Sequence, residues 1–451
     1  MQRILVAGLA VSAVTALAAG QTARPAMPDS LREALPQPLD ESAWPPLDEG
    51  AAQLGQLLFY DPILSGNREV ACVTCHHPAF GTSDGLSLPL GDGGHGLGPA
   101  RVADAANLPE QRVPRNSQAL WNTSAHDYVS MFHDGRVEAD ATRPTGMRTP
   151  LEEEMTQGFD SILSAQTMFP VLSADEMAGH YSENEVAQAV RLGILTGPGG
   201  AWDLIARRVA GVPEYAERFA AVYGRAPEEI AFTDISNALA AFINFEFRSD
   251  DSPFDAVLRG DGRLDPLAER GMALFYGEAG CSACHAGPFL TDHGYHAMGA
   301  PQLGPGKGAR FEIGAKDEGR FRVTGDPEDL YAFRTPSLRN VALTAPYGHA
   351  GGHATLGAFL RDHADPVAAL ARYDRAQVVL PALAVEDWAE LDDPAELEAI
   401  ASSVTAPPVT LDEADMQALL AFLDALTDPV AEAGRLGIPE TVPSGLPVPA
   451  P

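Results

Sequence analysis

The sequence predicts a mainly α-helical protein with long loops, divided into two domains of similar design. Three observations carry this. Segments 183–196, 202–209, 214–223, 234–248, 266–276 and 411–427 show helix-like apolar spacing, the last through Leu411, Met416, Leu419, Leu420 and Leu423. Gly and Pro clusters such as GDGGHGLGPA (91–100) and GAPQLGPGKG (299–308) read as loops between them. The motif Cys-x-x-Cys-His occurs twice, at 72–76 and at 281–285, once in each half of the chain.

The 451 residues leave room for two or three domains with sizeable cores. At the N-terminus, Arg3 precedes an apolar run from Ile4 to Ala19 with small residues near its end, the pattern of a secretory signal. A membrane anchor is the competing reading, but the run is shorter than the roughly 20 apolar residues a span needs. Residues 1–19 are therefore expected to be a cleaved signal peptide, the mature protein periplasmic and not inserted in a membrane. The first domain is expected over 20–250 and the second over 251–428, with SDDSPFD (249–255) as the linker. The proline-rich tail 429–451 either wraps the surface or is disordered.

Four cysteines in an exported chain would ordinarily suggest two disulfides. Here they fall as Cys72/Cys75 and Cys281/Cys284, each pair followed at once by a histidine, which is the c-type haem attachment signature. Two thiols at this spacing can add to the two vinyl groups of one haem, and the next histidine then ligates its iron. A zinc site and a thioredoxin-like pair are the alternatives. Zinc does not need His76 and His285 at the same offset, and neither pair reads as lying between a strand and a helix. Two covalently bound haems are expected, one in each of two cytochrome c-like domains, with His76 and His285 as proximal ligands.

Several longer stretches then resemble a known family, the bacterial dihaem cytochrome c peroxidases and their relatives typified by MauG. They are LFYDPILSGNREVACVTCHHPAFGTSDG (58–85), PRNSQALWN (114–122), MFHDGR (131–136), FPVLSADEM (169–177), CSACHAGPFLTDHGYH (281–296) and FRTPSLRNVALTAPYGHAGGHATLGAFL (333–360). The resemblance spans about Gln53 to Asp428. It implies that the N-terminal haem is the peroxide site and the C-terminal haem the electron relay.

The same resemblance assigns roles to other residues. Gln166, Pro170 and Glu176, followed by Met177, reproduce the family's offsets around its acid–base carboxylate. Cleaving a peroxide O–O bond needs a group that takes a proton from one oxygen and gives it to the other, which Glu176 can do while Gln166 orients peroxide or water. Ser173 and Glu176 also make a capping-box pattern, so a solvated helix start is the plainer reading of that glutamate. The stretch between Arg136 and Gln166 looks longer than in the family and suggests an insertion.

Where the family has an inter-haem Trp, this chain has His133, a poorer one-electron relay that can still bridge propionates. Trp121 is a substitute relay or, more simply, core packing. Thr344-Ala345-Pro346-Tyr347 fits the segment whose carbonyls bind calcium, so Thr344 and Pro346, with the side chain of Asn116 or Asn122, are expected to hold one calcium ion.

His363 stands seventeen residues after Pro346, where the family places the sixth ligand of the second haem. Its peroxidases usually have Met there, and MauG has Tyr. Imidazole donates more strongly than a thioether, so a His285/His363 haem should have a lowered potential. The plain alternative is a solvent-facing histidine at a helix C-terminus. The only loop candidate for a histidine that blocks the first haem, His95, reads as a solvated loop residue, which leaves the peroxide site open.

The net charge of −32 disfavours nucleic acid and anionic lipid and would steer a basic partner such as a small cytochrome c. Three functions follow. A peroxidase would reduce hydrogen peroxide with electrons from a small redox protein. A MauG-like oxidase would use peroxide to oxidise Trp or Tyr side chains of a partner protein. A plain electron carrier would make Glu176 and Gln166 incidental.

Overall fold

The computed structural model describes residues 27–180, 182–305 and 316–449. The expected signal peptide, 1–19, lies outside the described residues. Every one of the six predicted helical segments contains a helix, at Glu185–Arg191, Ala201–Ala210, Pro213–Tyr223, Phe232–Glu246, Pro266–Phe275 and Glu413–Asp424. Strands are short and few among the described residues. The largest sheet has three strands, Ser130–Met131, Val137–Ala139 and Met147–Arg148, paired antiparallel in that order. Its second and third strands lie in the stretch after Arg136 that reads as an insertion.

Two helix pairs organise the two halves, and they are built alike. In the first, Glu49–Tyr60 crosses Phe232–Glu246 so closely that a Cβ on Gly55 would stand 1.8 Å from the Ala238 carbonyl oxygen. One turn on, Phe59 and Phe242 meet with ring centres 5.1 Å apart. In the second pair, Pro266–Phe275 crosses Glu413–Asp424, a Cβ on Gly271 would stand 1.9 Å from the Ala418 oxygen, and Phe275 meets Phe422 at 5.2 Å. Glycine is required at both crossings, and each aromatic contact adds about 0.5–1.5 kcal/mol beyond its buried area.

The main apolar core gathers Leu54, Leu58, Phe59, Ile205, Phe219, Leu239 and Phe242, and a second one gathers Phe254, Met272, Phe275, Leu419 and Phe422. The predicted linker is firmly held. Ser252 caps the helix Pro253–Arg259, and Asp255 inside it makes two buried 2.8 Å bonds to the Arg339 guanidinium. The tail wraps back on the first half: Glu246 accepts from the backbone N–H groups of Arg435, Leu436 and Gly437, and Ser444 Oγ donates to Asp61 at 2.7 Å.

Candidate haem and peroxide sites

Each Cys-x-x-Cys-His motif folds as a tight turn followed by a loop that returns to its histidine. In the first, Cys72–Cys75 is one helical turn, and His76 Nδ1 lies 3.1 Å from the Thr82 carbonyl oxygen. In the second, Cys281–Ala283 is a 3-10 turn and His285 Nδ1 lies 3.2 Å from the Leu290 carbonyl oxygen. A carbonyl partner makes Nδ1 the N–H donor and leaves the Nε2 lone pair free for a metal. Burial lowers the pKa of both rings, which keeps them neutral and able to ligate.

None of the four cysteines is in a disulfide. Burial pushes Cys72 up to about 12 and Cys281 up to about 11. Among the described residues no cluster of possible metal ligands joins the two pairs, which argues against a shared zinc site.

His363 is the last residue of the helix Leu356–His363 and is half-buried. Its ring centre lies 6.4 Å from that of His285, and Phe359 stacks on it at 5.1 Å and 23°. Metal–imidazole bonds of about 2 Å on either side of one ion put the two ring centres about 6 Å apart. The pair therefore fits a haem iron held between two imidazoles.

On the first-haem side, Gln166 ends the helix Ile162–Gln166, and Glu176 sits on a π-type turn, Ala174–Ala178. Ser173 makes no side-chain cap there, so the capping box suggested by the sequence is not formed. The Glu176 carboxyl is pushed up to about 7, first by burial and then by Asp175, against the pull of Arg136. It stands near enough to Cys75 to add to the rise of that thiol, after burial and Asp84. Gln166 Oε1 is buried without a hydrogen-bond partner. A buried acceptor left idle suits a small ligand that can donate, and a buried carboxyl raised to about 7 suits proton exchange.

The other predicted residues fall as follows. Trp121 is core packing: it is 4% exposed, donates to the Gly81 carbonyl and meets Phe247 edge-on. His95 is exposed and paired with Asp104 at 3.1 Å. Asn116 donates its amide to the Leu86 carbonyl at 2.7 Å. Both amide atoms of Asn122 are occupied by the backbone of Ser249, which removes it as a free ligand.

His133 belongs to a cluster that the sequence did not reveal. Its Nε2 lies 3.4 Å from Asp317 Oδ2, and the same oxygen takes His349 Nε2 at 2.6 Å and Arg115 Nε at 2.6 Å. His349 in turn stacks on Phe333 with centres 3.8 Å apart. Arg115, His349 and Phe333 lie inside the family-like stretches, whereas Asp317 carries no local signature. Also unforeseen is His180, buried just past the Glu176 turn.

Comparison with known proteins agrees with this geometry. Residues 49–263 match the family described as di-haem cytochrome c peroxidase. The chain is 31% identical over 311 residues to the methylamine utilization protein MauG of Methylorubrum extorquens, covering 69% of this chain and 67% of that one. It is 29% identical over 300 residues to the cytochrome c551 peroxidase of Pseudomonas aeruginosa, covering 66% and 67%. A crystal structure of a MauG-like protein associated with microbial copper homeostasis superposes with a TM-score of 0.56 at 27% identity, over 90% of this chain and 96% of the other. A helical fold with two Cys-x-x-Cys-His motifs, matched by these relatives, defines a haem peroxidase. The chain belongs to the dihaem cytochrome c peroxidase and MauG family.

Proposed function

We propose that the chain is a periplasmic peroxidase that reduces hydrogen peroxide to water with electrons from a small cytochrome c or a similar redox protein. The observation that carries this reading is the buried Glu176 carboxyl, raised to about 7, together with the idle Gln166 oxygen. In this reading two cytochrome c-like domains, 20–250 and 251–428, each hold one covalent haem. Cys72, Cys75 and His76 serve the first, and Cys281, Cys284, His285 and His363 the second.

When bound, the haems supply the electron transfer and the redox change at the peroxide. The protein supplies proton handling. Glu176 as carboxylate takes a proton from one peroxide oxygen and returns it to the other, which leaves as water, while Gln166 Oε1 accepts a hydrogen bond from the peroxide O–H. A carboxyl held near 7 serves both half-steps near neutral pH. His133, anchored by Asp317, would serve as the bridge between the haems.

One calcium ion would be held by the Asn116 side-chain oxygen and the Thr344 and Pro346 carbonyls. The bond from the Asn116 amide to Leu86 supports this by committing the nitrogen elsewhere. No helix among the described residues is long and apolar enough to cross a membrane. The signal-like N-terminus is what supports export, and the −32 net charge favours a basic donor.

The facing His285 and His363 rings favour a second reading, a MauG-like oxidase acting on Trp or Tyr side chains of a partner protein, because two imidazoles stabilise an oxidised iron. Stopped-flow mixing of the diferric protein with one equivalent of hydrogen peroxide separates the two. Repeated, fast oxidation of added reduced cytochrome c supports the peroxidase. A long-lived oxidised state that ignores the cytochrome supports the oxidase.

A further inference from the structure

The structure holds a buried histidine that the chemistry above does not use. His180 follows the Ala174–Ala178 turn, is 6% exposed, and neither of its ring nitrogens has a hydrogen-bond partner among the described residues. Leaving a buried polar group unpaired costs its lost hydration, so this placement needs a reason.

Its surroundings supply one. On the inner side, Nδ1 lies 4.0 Å from Asp175 Oδ1, a small side-chain rotation short of a hydrogen bond. Asp175 is the neighbour of Glu176 and acts on its carboxyl directly. Gln111 holds the other Asp175 oxygen at 2.6 Å. On the outer side stand the buried Asp92 and the exposed Glu183, linked by Asn67, whose amide lies 3.1 Å from Asp92 and 2.7 Å from Glu183. The His180 backbone N–H donates to the same Glu183 oxygen at 2.6 Å. Gly91 keeps the two sides together: a Cβ there would stand 2.2 Å from the Asp175 carbonyl oxygen and 2.6 Å from the Glu176 Cα. Glu69 and the buried Arg101 are further charged groups whose fields reach Asp92.

We infer that His180 relays protons from the exposed Glu183 and the buried Asp92, through Asp175, to Glu176. The inference rests on the peroxidase reading for its purpose and on geometry for its path. Reducing one hydrogen peroxide to two waters breaks the O–O bond and consumes two electrons from the donor and two protons from solvent. Glu176 only moves a proton from one oxygen to the other, so both net protons must come from outside. An imidazole with two idle nitrogens takes a proton on one and releases one from the other, and a ring flip restores it.

The test is His180→Gln, with Asp92→Asn as a second variant on the same path should the first lose its fold. Infrared spectroscopy of the resting holoprotein in D2O follows hydrogen–deuterium exchange at the protonated Glu176 carboxyl, without peroxide or donor. Exchange is expected to slow at least tenfold in either variant while haem content and spectra stay unchanged. Turnover with a reduced cytochrome is expected to fall similarly and to recover in the His180→Gln protein as free imidazole is added. Exchange at the parent rate overturns the relay. So does a turnover defect that imidazole leaves unaltered. If the parent protein does not turn over peroxide with any donor, the peroxidase reading fails while the exchange experiment still decides the proton path.

Discussion

His285 and His363 face each other with ring centres 6.4 Å apart, although they lie in separate elements. Phe359 packs flat against the His363 ring, and the helix Leu356–His363 is capped by Thr355 through Ala358 N–H, so the ring's place is set before any iron binds. Replacing His363 with Met is expected to convert the low-spin spectrum of the second haem to a His/Met type and raise its potential, because the thioether donates less to ferric iron. Absorption spectra and a redox titration read this directly, and an unchanged spectrum would remove His363 from the coordination sphere.

Glu176 is expected to set the pH dependence of the peroxide reaction. Its carboxyl is pushed up to about 7, chiefly by burial, and the carboxylate is the form that takes the first proton. The bimolecular rate with peroxide should therefore rise through pH about 7 and level off above it. Replacing Glu176 with Gln should slow this reaction about 10²–10⁴-fold and abolish that pH step, with both haems still attached. Stopped-flow traces across pH check it, and a parent-like pH step in the variant would end the assignment.

Asp317 is expected to be a stability determinant that acid removes. Burial opposes its charge, yet Arg115, His133 and His349 hold its carboxyl well below the usual range, so its contribution is complete above the unfolded value of about 3.9 and is lost as pH falls below that. His349 is pushed down to about 4 by burial, so the unfolded chain binds a proton that the fold refuses between about 6.5 and 4. Both groups make the protein less stable in acid. Asp317→Asn removes the buried carboxylate that pairs with Arg115 Nε and should cost about 3–5 kcal/mol at pH 7. The difference from the parent should shrink below about pH 4, as chemical denaturation across pH will show.

The haem chemistry was legible because attachment needs residues that are close in sequence: two thiols and an imidazole within five positions announce themselves. The helices were legible for the same local reason, through their apolar spacing. What the sequence hid depends on distant segments. Asp317 meets His133 and His349 across the fold, and a single aspartate in a polar stretch has no pattern of its own. The plain reading of Glu176 as a helix cap failed because the turn closes as a π-type turn without the Ser173 side chain. The helix-pair repeat was readable in principle. GQLLF (55–59) with ALAAF (238–242) recurs as GMALF (271–275) with ALLAF (418–422), but its meaning needs the crossing geometry.

That repeat yields a prediction whose sign depends on place. In an open helix, Ala in place of Gly gains up to about 1 kcal/mol. At Gly271 the new Cβ would stand 1.9 Å from the Ala418 oxygen, a backbone atom that cannot swing aside, so the helices Pro266–Phe275 and Glu413–Asp424 must part. Parting loosens the Phe275–Phe422 contact and the core beneath it, a strain of about 1–3 kcal/mol or more that outweighs the propensity gain. Gly357 also lies in a helix, but there the nearest atom is a Leu420 methyl at 3.5 Å, an ordinary contact. Gly271→Ala should therefore lower the thermal midpoint read at the second haem, whereas Gly357→Ala should hold or raise it. Equal midpoints for the two variants would show that the crossing has slack which the close approach of Gly271 to Ala418 denies.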